Sequence, residues 1–211
     1  MGQAVMRQLF WAGIKNGTIW VDWTIERMYY VNERRPNQDL FGSGSVAMDR
    51  KQIGLKLTID ALGLPFKISS FEDRLILQKA VYLAQACGVN LGYFYHWYLY
   101  GPYSSSLTRD AYSIECEVRE ELDESKGWEL DKGSQTKLER LKGLMTGGST
   151  SDKRQQLELL GSVHFLVDRK QVRPNDVEGI TATLKRFKTD FSKEKVEAAL
   201  GDLTKHGLFA E

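Results

Sequence analysis

The fold of this chain is decided by a stretch of eleven residues, Tyr93-Phe94-Tyr95-His96-Trp97-Tyr98-Leu99-Tyr100-Gly101-Pro102-Tyr103, seven of which are aromatic. Aromatic residues favour β-strands, and Gly92 and Gly101-Pro102 bracket the run as turns do. A strand here has Phe94, His96, Tyr98 and Tyr100 on one face and Tyr93, Tyr95, Trp97 and Leu99 on the other. Such a strand serves either as a core strand or as one side of a binding surface, and the sequence leaves both interpretations open.

Helices are predicted on both sides of this strand. One begins after Asp49 and stops at Gly63, and a second begins at Ser70, where Asp73 completes a capping box, and ends near Cys87-Gly88. The second helix is apolar around most of its circumference, which places it at the centre of a core. After the strand, Ser104 or Ser105 caps an amphipathic helix whose apolar stripe is Leu107, Ala111, Ile114, Val118 and Leu122.

The last third of the chain predicts three more helices. A polar helix opened by Gly133 runs to Met145, a loop covers residues 146–151, and the three helices follow, the last capped by Ser192 and stopped by Lys205-His206-Gly207. We therefore expect a mainly α (α+β) protein: a compact helical region over 48–145 with a short aromatic strand or hairpin. A winged-helix-like three-helix region over 154–211 would complete it.

The amino-terminal segment has a different character. Residues 1–41 hold three of the five tryptophans, Trp11, Trp20 and Trp23, and residues 42–47 begin with the linker-like Gly42-Ser43-Gly44-Ser45. Two interpretations remain: an engineered fusion that tethers a fragment of a partner ahead of a natural start at Met48, or a natural Gly/Ser loop. Residues 18–25 alternate as a strand does, although a helix over residues 18–31 fits as well.

Composition excludes several classes of protein. The 29 Lys and Arg nearly balance the 28 Asp and Glu, so the net charge of +1 provides no overall basic footprint for nucleic acid. Two cysteines, Cys87 and Cys116, form no metal or redox motif and fit a cytoplasmic protein. No apolar run reaches the roughly 18 residues of a membrane span.

The sequence also shows no catalytic pattern. It has no metalloprotease, nucleophile-elbow or phosphate-loop motif, and His96, His164 and His206 fall in three separate predicted elements. We therefore expect no cofactor, no metal and no enzymatic activity, and a hydrolase or nuclease that uses His96 is the weaker alternative.

Two short motifs resemble a known family. They are Leu77-Gln78-Lys79-Ala80-Val81-Tyr82-Leu83-Ala84-Gln85 and Trp97-Tyr98-Leu99-Tyr100-Gly101-Pro102-Tyr103-Ser104 with Leu107. Together with residues 191–208 they are similar to YwgA-like proteins and to the wider SocA-like, or Panacea, antitoxin domain. Tyr103-Ser104 after the Gly-Pro departs from the usual Panacea loop and favours the YwgA-like branch.

The resemblance implies a helical, non-enzymatic protein of toxin–antitoxin or phage-defence systems that binds a toxin or another protein. The partner-binding residues on this interpretation are Phe94, His96, Trp97, Tyr98, Tyr100, Gly101, Pro102, Tyr103, Ser104 and Leu107, and residues 1–41 would represent the partner. The alternative is a DNA-binding winged-helix regulator that uses the last three helices. Against it, Lys193, Lys195 and Lys205 are interleaved with acidic residues.

Overall fold

The computed structural model describes residues 14–15, 18–19, 48–119, 123–187 and 191–209. The chain divides into two compact units, Met1–Val46 and Ala47–Glu211. In the first unit, strands β1 (Ile14–Lys15) and β2 (Thr18–Ile19) pair antiparallel, with Ile14 opposite Ile19 and Lys15 opposite Thr18. The predicted linker 42–47 and the tryptophans Trp11, Trp20 and Trp23 lie outside the described residues.

The second unit is mainly helical, as predicted, with one short hairpin. Its helices are α1 (Arg50–Ala61), α2 (Phe71–Ala86), α3 (Ser105–Arg119), α4 (Lys132–Met145), α5 (Thr150–Asp168), α6 (Val177–Lys185) and α7 (Lys193–Lys205). Strands β3 (His96–Tyr98) and β4 (Gly101–Tyr103) form the hairpin between α2 and α3.

Helix α2 lies at the centre of the core, which confirms the expectation from its apolar circumference. Ser70 Oγ accepts from Asp73 N at 3.0 Å and Asp73 Oδ2 accepts from Ser70 N at 3.1 Å, so the capping box begins the helix where the sequence predicts. Ala80, Val81, Leu83 and Ala84 have no exposed surface. Because a helix buried on all sides needs neighbours on all sides, α2 packs against α1, α3, α4 and α5.

Helix α5 joins the two predicted halves into one core. It packs along α2, and the hydrophobic core runs without a break from Met48 to Leu208. The helix starts earlier than expected, at Thr150, because Ser149 and Asp152 form a capping box in what the sequence assigns to a loop. The regions 48–145 and 154–211 are therefore packed layers of one unit.

The sequence predicts a short aromatic strand or hairpin here, and the structure has the hairpin, with its turn before Gly101-Pro102 instead of at it. The strand covers only His96–Tyr98, the turn falls at Leu99-Tyr100, and Gly101-Pro102 belongs to β4 instead of closing the run as a turn. Leu99 is accordingly 46% exposed and does not share the inner face with Tyr93 and Tyr95. Tyr93 and Tyr95 are buried while Phe94 and His96 are exposed, so the predicted alternation holds from Tyr93 to His96, after which Trp97 and Tyr98 are both half-buried.

The last helix, α7, has the ends that the sequence predicts. Ser192 Oγ accepts from Lys195 N, and Leu208 N donates to Leu203 O at 2.9 Å while Gly207 N donates to Thr204 O at 2.9 Å. This pair of hydrogen bonds is the Schellman motif. In residues 206–209, which end the described part of the chain, α7 is followed by a turn and no strand. In the described ranges, no helix combines the length and apolar character needed to cross a bilayer.

Candidate functional site: the aromatic hairpin

The inner face of the hairpin is anchored by ring packing. The Trp97 ring lies 5.8 Å from that of Phe165 on α5 and 5.4 Å from that of Phe187, which follows α6. Tyr95 packs edge-on against Tyr82 of α2, with ring centroids 5.0 Å apart. Rings at these separations contribute packing energy beyond the area they bury, so the inner face is fixed to two helices.

Polar side chains of α2 hold the other strand of the hairpin. Gln78 Nε2 donates to Ser104 O at 2.8 Å and to Thr108 Oγ1 at 2.8 Å, and Gln78 Oε1 accepts from Ser104 N at 3.0 Å. Lys79 Nζ donates to Pro102 O at 2.5 Å. Both side chains are at least 97% buried. Because buried polar groups need partners, these contacts tie the Gln78-Lys79 motif to the Gly-Pro motif.

Helix α5 approaches β4 closely enough to require small residues. Gly101 has φ +82°, a left-handed conformation that only glycine adopts at little cost, and a Cβ there would lie 2.3 Å from Ser162 Oγ. A Cβ on Gly161 would lie 3.5 Å from the Pro102 ring and 3.4 Å from Lys79 Cδ. A Cβ therefore has no room at Gly101, whereas a Cβ at Gly161 would be in ordinary van der Waals contact with the strand and the buried lysine.

The outer face of the hairpin carries the exposed rings. We define the hairpin surface as Phe94, His96, Tyr98, Leu99 and Tyr100. Phe94 is 82% exposed, the largest exposure of any large apolar side chain in the described residues. His96 is exposed, and Tyr98 and Tyr100 are half-buried. Tyr98 contacts Tyr103 with centroids 5.4 Å apart, and Tyr100 contacts Phe71 of α2 at 5.0 Å, so these two rings have fixed positions.

Four of the predicted partner contacts lie in the interior, which corrects the predicted site. Leu107 has no exposed surface, Ser104 is 1% exposed, and Gly101 and Pro102 are buried. They are interior because Leu107 faces the core from α3, while Gly101 and Pro102 lie in β4 and Ser104 directly after it, in a strand that packs against α2 and α5. Their role in the structure is to position the hairpin surface. Trp97 and Tyr103 are half-buried, between these interior residues and the exposed ones.

The hairpin surface has no charged carboxylate, ammonium or guanidinium, because residues 93–103 include none. Burial raises the pKa of Tyr95 well above its usual value and raises the pKa of Tyr103, with the Thr108 hydrogen bond opposing the latter. These phenols stay neutral at physiological pH. Any partner of this surface therefore meets aromatic rings, one imidazole and main-chain groups.

A cation and a carboxylate fix the approach to the hairpin. The Tyr93 hydroxyl donates to Asp110 Oδ2 at 2.8 Å, and Lys51 Nζ lies 3.9 Å above the Tyr93 ring and 3.5 Å from the same carboxylate. Burial, followed by the Asp110 hydrogen bond, raises the pKa of Tyr93 far above its usual value. The cluster joins α1, the residues just before β3, and α3. Its side chains already have one another as hydrogen-bond and charge partners.

Tyr82 and His164 form a second buried polar contact. The Tyr82 hydroxyl and His164 Nδ1 are 2.8 Å apart, and the His164 ring stacks on Phe209 at 5.3 Å. Burial lowers the pKa of His164, with Asp168 and a hydrogen bond to the Leu208 main chain opposing it. The imidazole is therefore held neutral, and it binds the end of the chain to the core.

The described residues contain no group of three or more His, Cys, Asp or Glu side chains arranged to hold a metal ion. His96, His164 and His206 do not converge: His96 is exposed on β3, His164 contacts Tyr82, and His206 Nδ1 contacts the Arg140 carbonyl. The functional contribution of Gln78 and Lys79 was not predicted. The signal for it was that these two polar residues interrupt the apolar run from Leu75 to Ala84 in α2.

No family model, no curated protein and no solved structure matches the chain.

Proposed function

We propose that this protein is an antitoxin-like or accessory component of a toxin–antitoxin or phage-defence system, and that it acts by binding a segment of a partner protein. The observation that carries the proposal is the 82% exposed Phe94 on a hairpin whose other face is fixed to α2 and α5. Exposed aromatic side chains on a preorganised surface are typical anchors of protein interfaces, because little conformational entropy is lost when they bind.

The resemblance to YwgA-like and Panacea proteins supports the proposal. The two motifs that carry it are in direct contact, since Gln78 and Lys79 hydrogen-bond to Ser104 and Pro102. Their co-occurrence in one sequence therefore has a physical reason: one motif positions the other. On this proposal the protein works in the cytoplasm, where its two free cysteines remain reduced.

Residues 1–41 are the candidate ligand that the sequence itself offers, with Trp11, Trp20 and Trp23 as its anchors. Replacing Gly42-Ser45 by a protease site allows the tether to be cut in the purified full chain. If the segment is a partner fragment, it stays associated after cutting and co-elutes in gel filtration. Separate elution at micromolar concentration would remove residues 1–41 as the ligand.

The antitoxin proposal is tested by growth rescue. The gene that adjoins this one in its source genome is expressed alone and together with this chain. We expect toxicity from the neighbour and rescue by the full chain, lost with Phe94→Ser and kept with Trp128→Ser. Trp128 is the matched control because, within the described residues, it is the other large exposed aromatic, at 53% exposure, in the loop between α3 and α4. Rescue that survives Phe94→Ser would overturn the role of the hairpin.

The alternative proposal is a DNA-binding winged-helix regulator. Its support is that α5, α6 and α7 pack together as a three-helix group. The charges favour it less, since Lys193 at the start of α7 is 2.5 Å from Glu178 Oε1 and 3.9 Å from Glu197 Oε1. A gel-shift series against mixed duplexes tests it: binding that weakens steeply with salt supports this function, and its absence at low salt excludes it.

A further inference from the structure

The missing N–H of Pro102 determines which residue pairs of the hairpin exchange main-chain hydrogen bonds. The register pairs His96 with Tyr103, Trp97 with Pro102, and Tyr98 with Gly101. Proline has no N–H, so the Trp97–Pro102 pair cannot exchange hydrogen bonds, and the ladder bonds fall on the pairs before and after it. The N–H and C=O of Trp97 therefore point away from β4, and so does the carbonyl of Pro102.

Helix α2 closes the outer edge of β4. The outward carbonyl of Pro102 accepts from Lys79 Nζ, and the next outward residue, Ser104, has both its N–H and its C=O bonded by the Gln78 amide. Each outward main-chain group of this edge is thus satisfied, and proline supplies no donor that needs a partner. No further strand can add on this side.

The outer edge of β3 is different. Across the residues that the structure describes, no hydrogen bond is made by the Trp97 N–H or C=O, and β3 pairs with β4 alone. β3 is short, at three residues, but its edge carries none of the side chains that block strand addition, since residues 94–99 contain no lysine, no proline and no acidic residue. Phe94, the most exposed large apolar side chain described, lies two residues before the first residue of β3.

We propose that the open edge of β3 binds an extended segment of the partner protein as a third strand, a mode that rests on the proposed function and specifies it. The Trp97 N–H and C=O match the main-chain groups of one antiparallel residue, and Phe94 packs against alternate side chains of the added strand. The occupant is a segment rich in β-branched or aromatic residues, because the hairpin surface has no charge to pair with. A second copy of the chain fits less well, since three paired residues bury far less than the roughly 1,200 Å² of a stable interface.

The test uses the full chain and a displayed library of random twelve-residue peptides. Enriched peptides are synthesised, and amide hydrogen exchange of the ¹⁵N-labelled protein is measured with and without them. We expect the Trp97 amide to exchange quickly in the free protein and at least tenfold more slowly in the complex. Because main-chain hydrogen bonds carry the affinity, N-methylation at alternate peptide positions is expected to weaken binding at least tenfold, and methylation at the intervening positions much less.

Protein variants provide the second readout. Phe94→Lys introduces a charge at the edge and is expected to weaken peptide binding at least tenfold, whereas Trp128→Lys, the matched exposed aromatic, leaves it unchanged. The inference is overturned if no peptide is enriched, if the Trp97 amide keeps its free exchange rate in the complex, or if N-methylation has no positional pattern. Growth rescue without these signs would leave the proposed function standing and remove the third strand. Peptide binding with these signs but without growth rescue would leave the third strand standing and remove the proposed function.

Discussion

Gly101→Ala tests the close approach of α5 to the hairpin. An alanine at φ +82° costs about 1–2 kcal/mol because its Cβ meets its own main chain in the left-handed region. The new Cβ would also lie 2.3 Å from Ser162 Oγ, a clash that either the serine side chain or the helix has to relieve, whereas its 3.5 Å distance to Ser162 Cα is ordinary van der Waals contact. Overpacking of this kind costs about 1–3 kcal/mol, and we expect a total loss of about 2–5 kcal/mol.

The chain provides a control that separates these two contributions. Gly92 has φ +69°, and a Cβ there would meet nothing within 4 Å, so Gly92→Ala pays the conformational cost alone. Urea unfolding followed by tryptophan fluorescence gives the free energy of unfolding of both variants. We expect Gly101→Ala to be less stable than Gly92→Ala by about 1–3 kcal/mol.

Ser162→Ala identifies the atom responsible. Ser162 Oγ is buried and makes no hydrogen bond in the described structure, so removing it alone has little effect or stabilises the protein slightly. Combined with Gly101→Ala it removes the 2.3 Å contact, and we expect the double variant to recover about 1 kcal/mol relative to the sum of the single effects. Equal stabilities for Gly101→Ala and Gly92→Ala, or strict additivity with Ser162→Ala, would refute the reasoning.

Three further predictions concern the buried polar contacts. Lys79→Met leaves the Pro102 carbonyl without its donor and should lower the free energy of unfolding by about 1–3 kcal/mol in urea titrations; an unchanged midpoint would show that the bond contributes nothing. Asp110→Ala removes the acceptor of the buried Tyr93 hydroxyl and should cost about 1–3 kcal/mol, with a tyrosine environment altered in near-ultraviolet circular dichroism. The pKa of His164 is lowered in the folded state, so the unfolded chain binds more protons below about pH 6.5 and stability falls as pH drops towards the folded pKa. His164→Leu should flatten that slope between pH 7.5 and 4.5, and an identical slope in both proteins would contradict the assignment.

The helices were predictable because their signals are local. Ser70 with Asp73 and Ser192 each specify a start within one turn of chain, and Gly207 specifies an end, so no knowledge of tertiary contacts was needed. Ser149 with Asp152 carries the same signal and begins α5. It lies in a stretch rich in glycine and serine, a composition that predicts the loop over residues 146–151.

The position of the turn was mispredicted because Gly101-Pro102 has two structural uses. Glycine before proline is typical of a turn, yet here Gly101 supplies the left-handed residue after the turn at Leu99-Tyr100. Pro102 is tolerated in β4 because a ladder N–H is not needed at this position, which faces the outer edge of the strand. At that edge Lys79 of α2 donates to the Pro102 carbonyl, and no acceptor is left unpaired. This choice depends on a side chain 23 residues away, which periodicity within the stretch cannot reveal.

The same distance dependence explains which site residues were found. Alternation correctly separates exposed Phe94 and His96 from buried Tyr93 and Tyr95, since the period of two is a local property. It cannot show that α2 and α5 cover β4, and so Leu107, Ser104, Gly101 and Pro102 were assigned to a surface from which the helices exclude them.

A two-stranded hairpin is marginally stable by itself, so something outside the hairpin has to hold it. In many sheets a third strand does this, but here the Gln78 amide and the Lys79 ammonium bond the main chain of β4 as a neighbouring strand would. Helix α5 adds ring contacts through Phe165. Because these helices stabilise the hairpin from the β4 side and the inner face, β3 stays ordered without a strand on its other edge. The anchoring that fixes the hairpin is therefore also what leaves the main chain of Trp97 available.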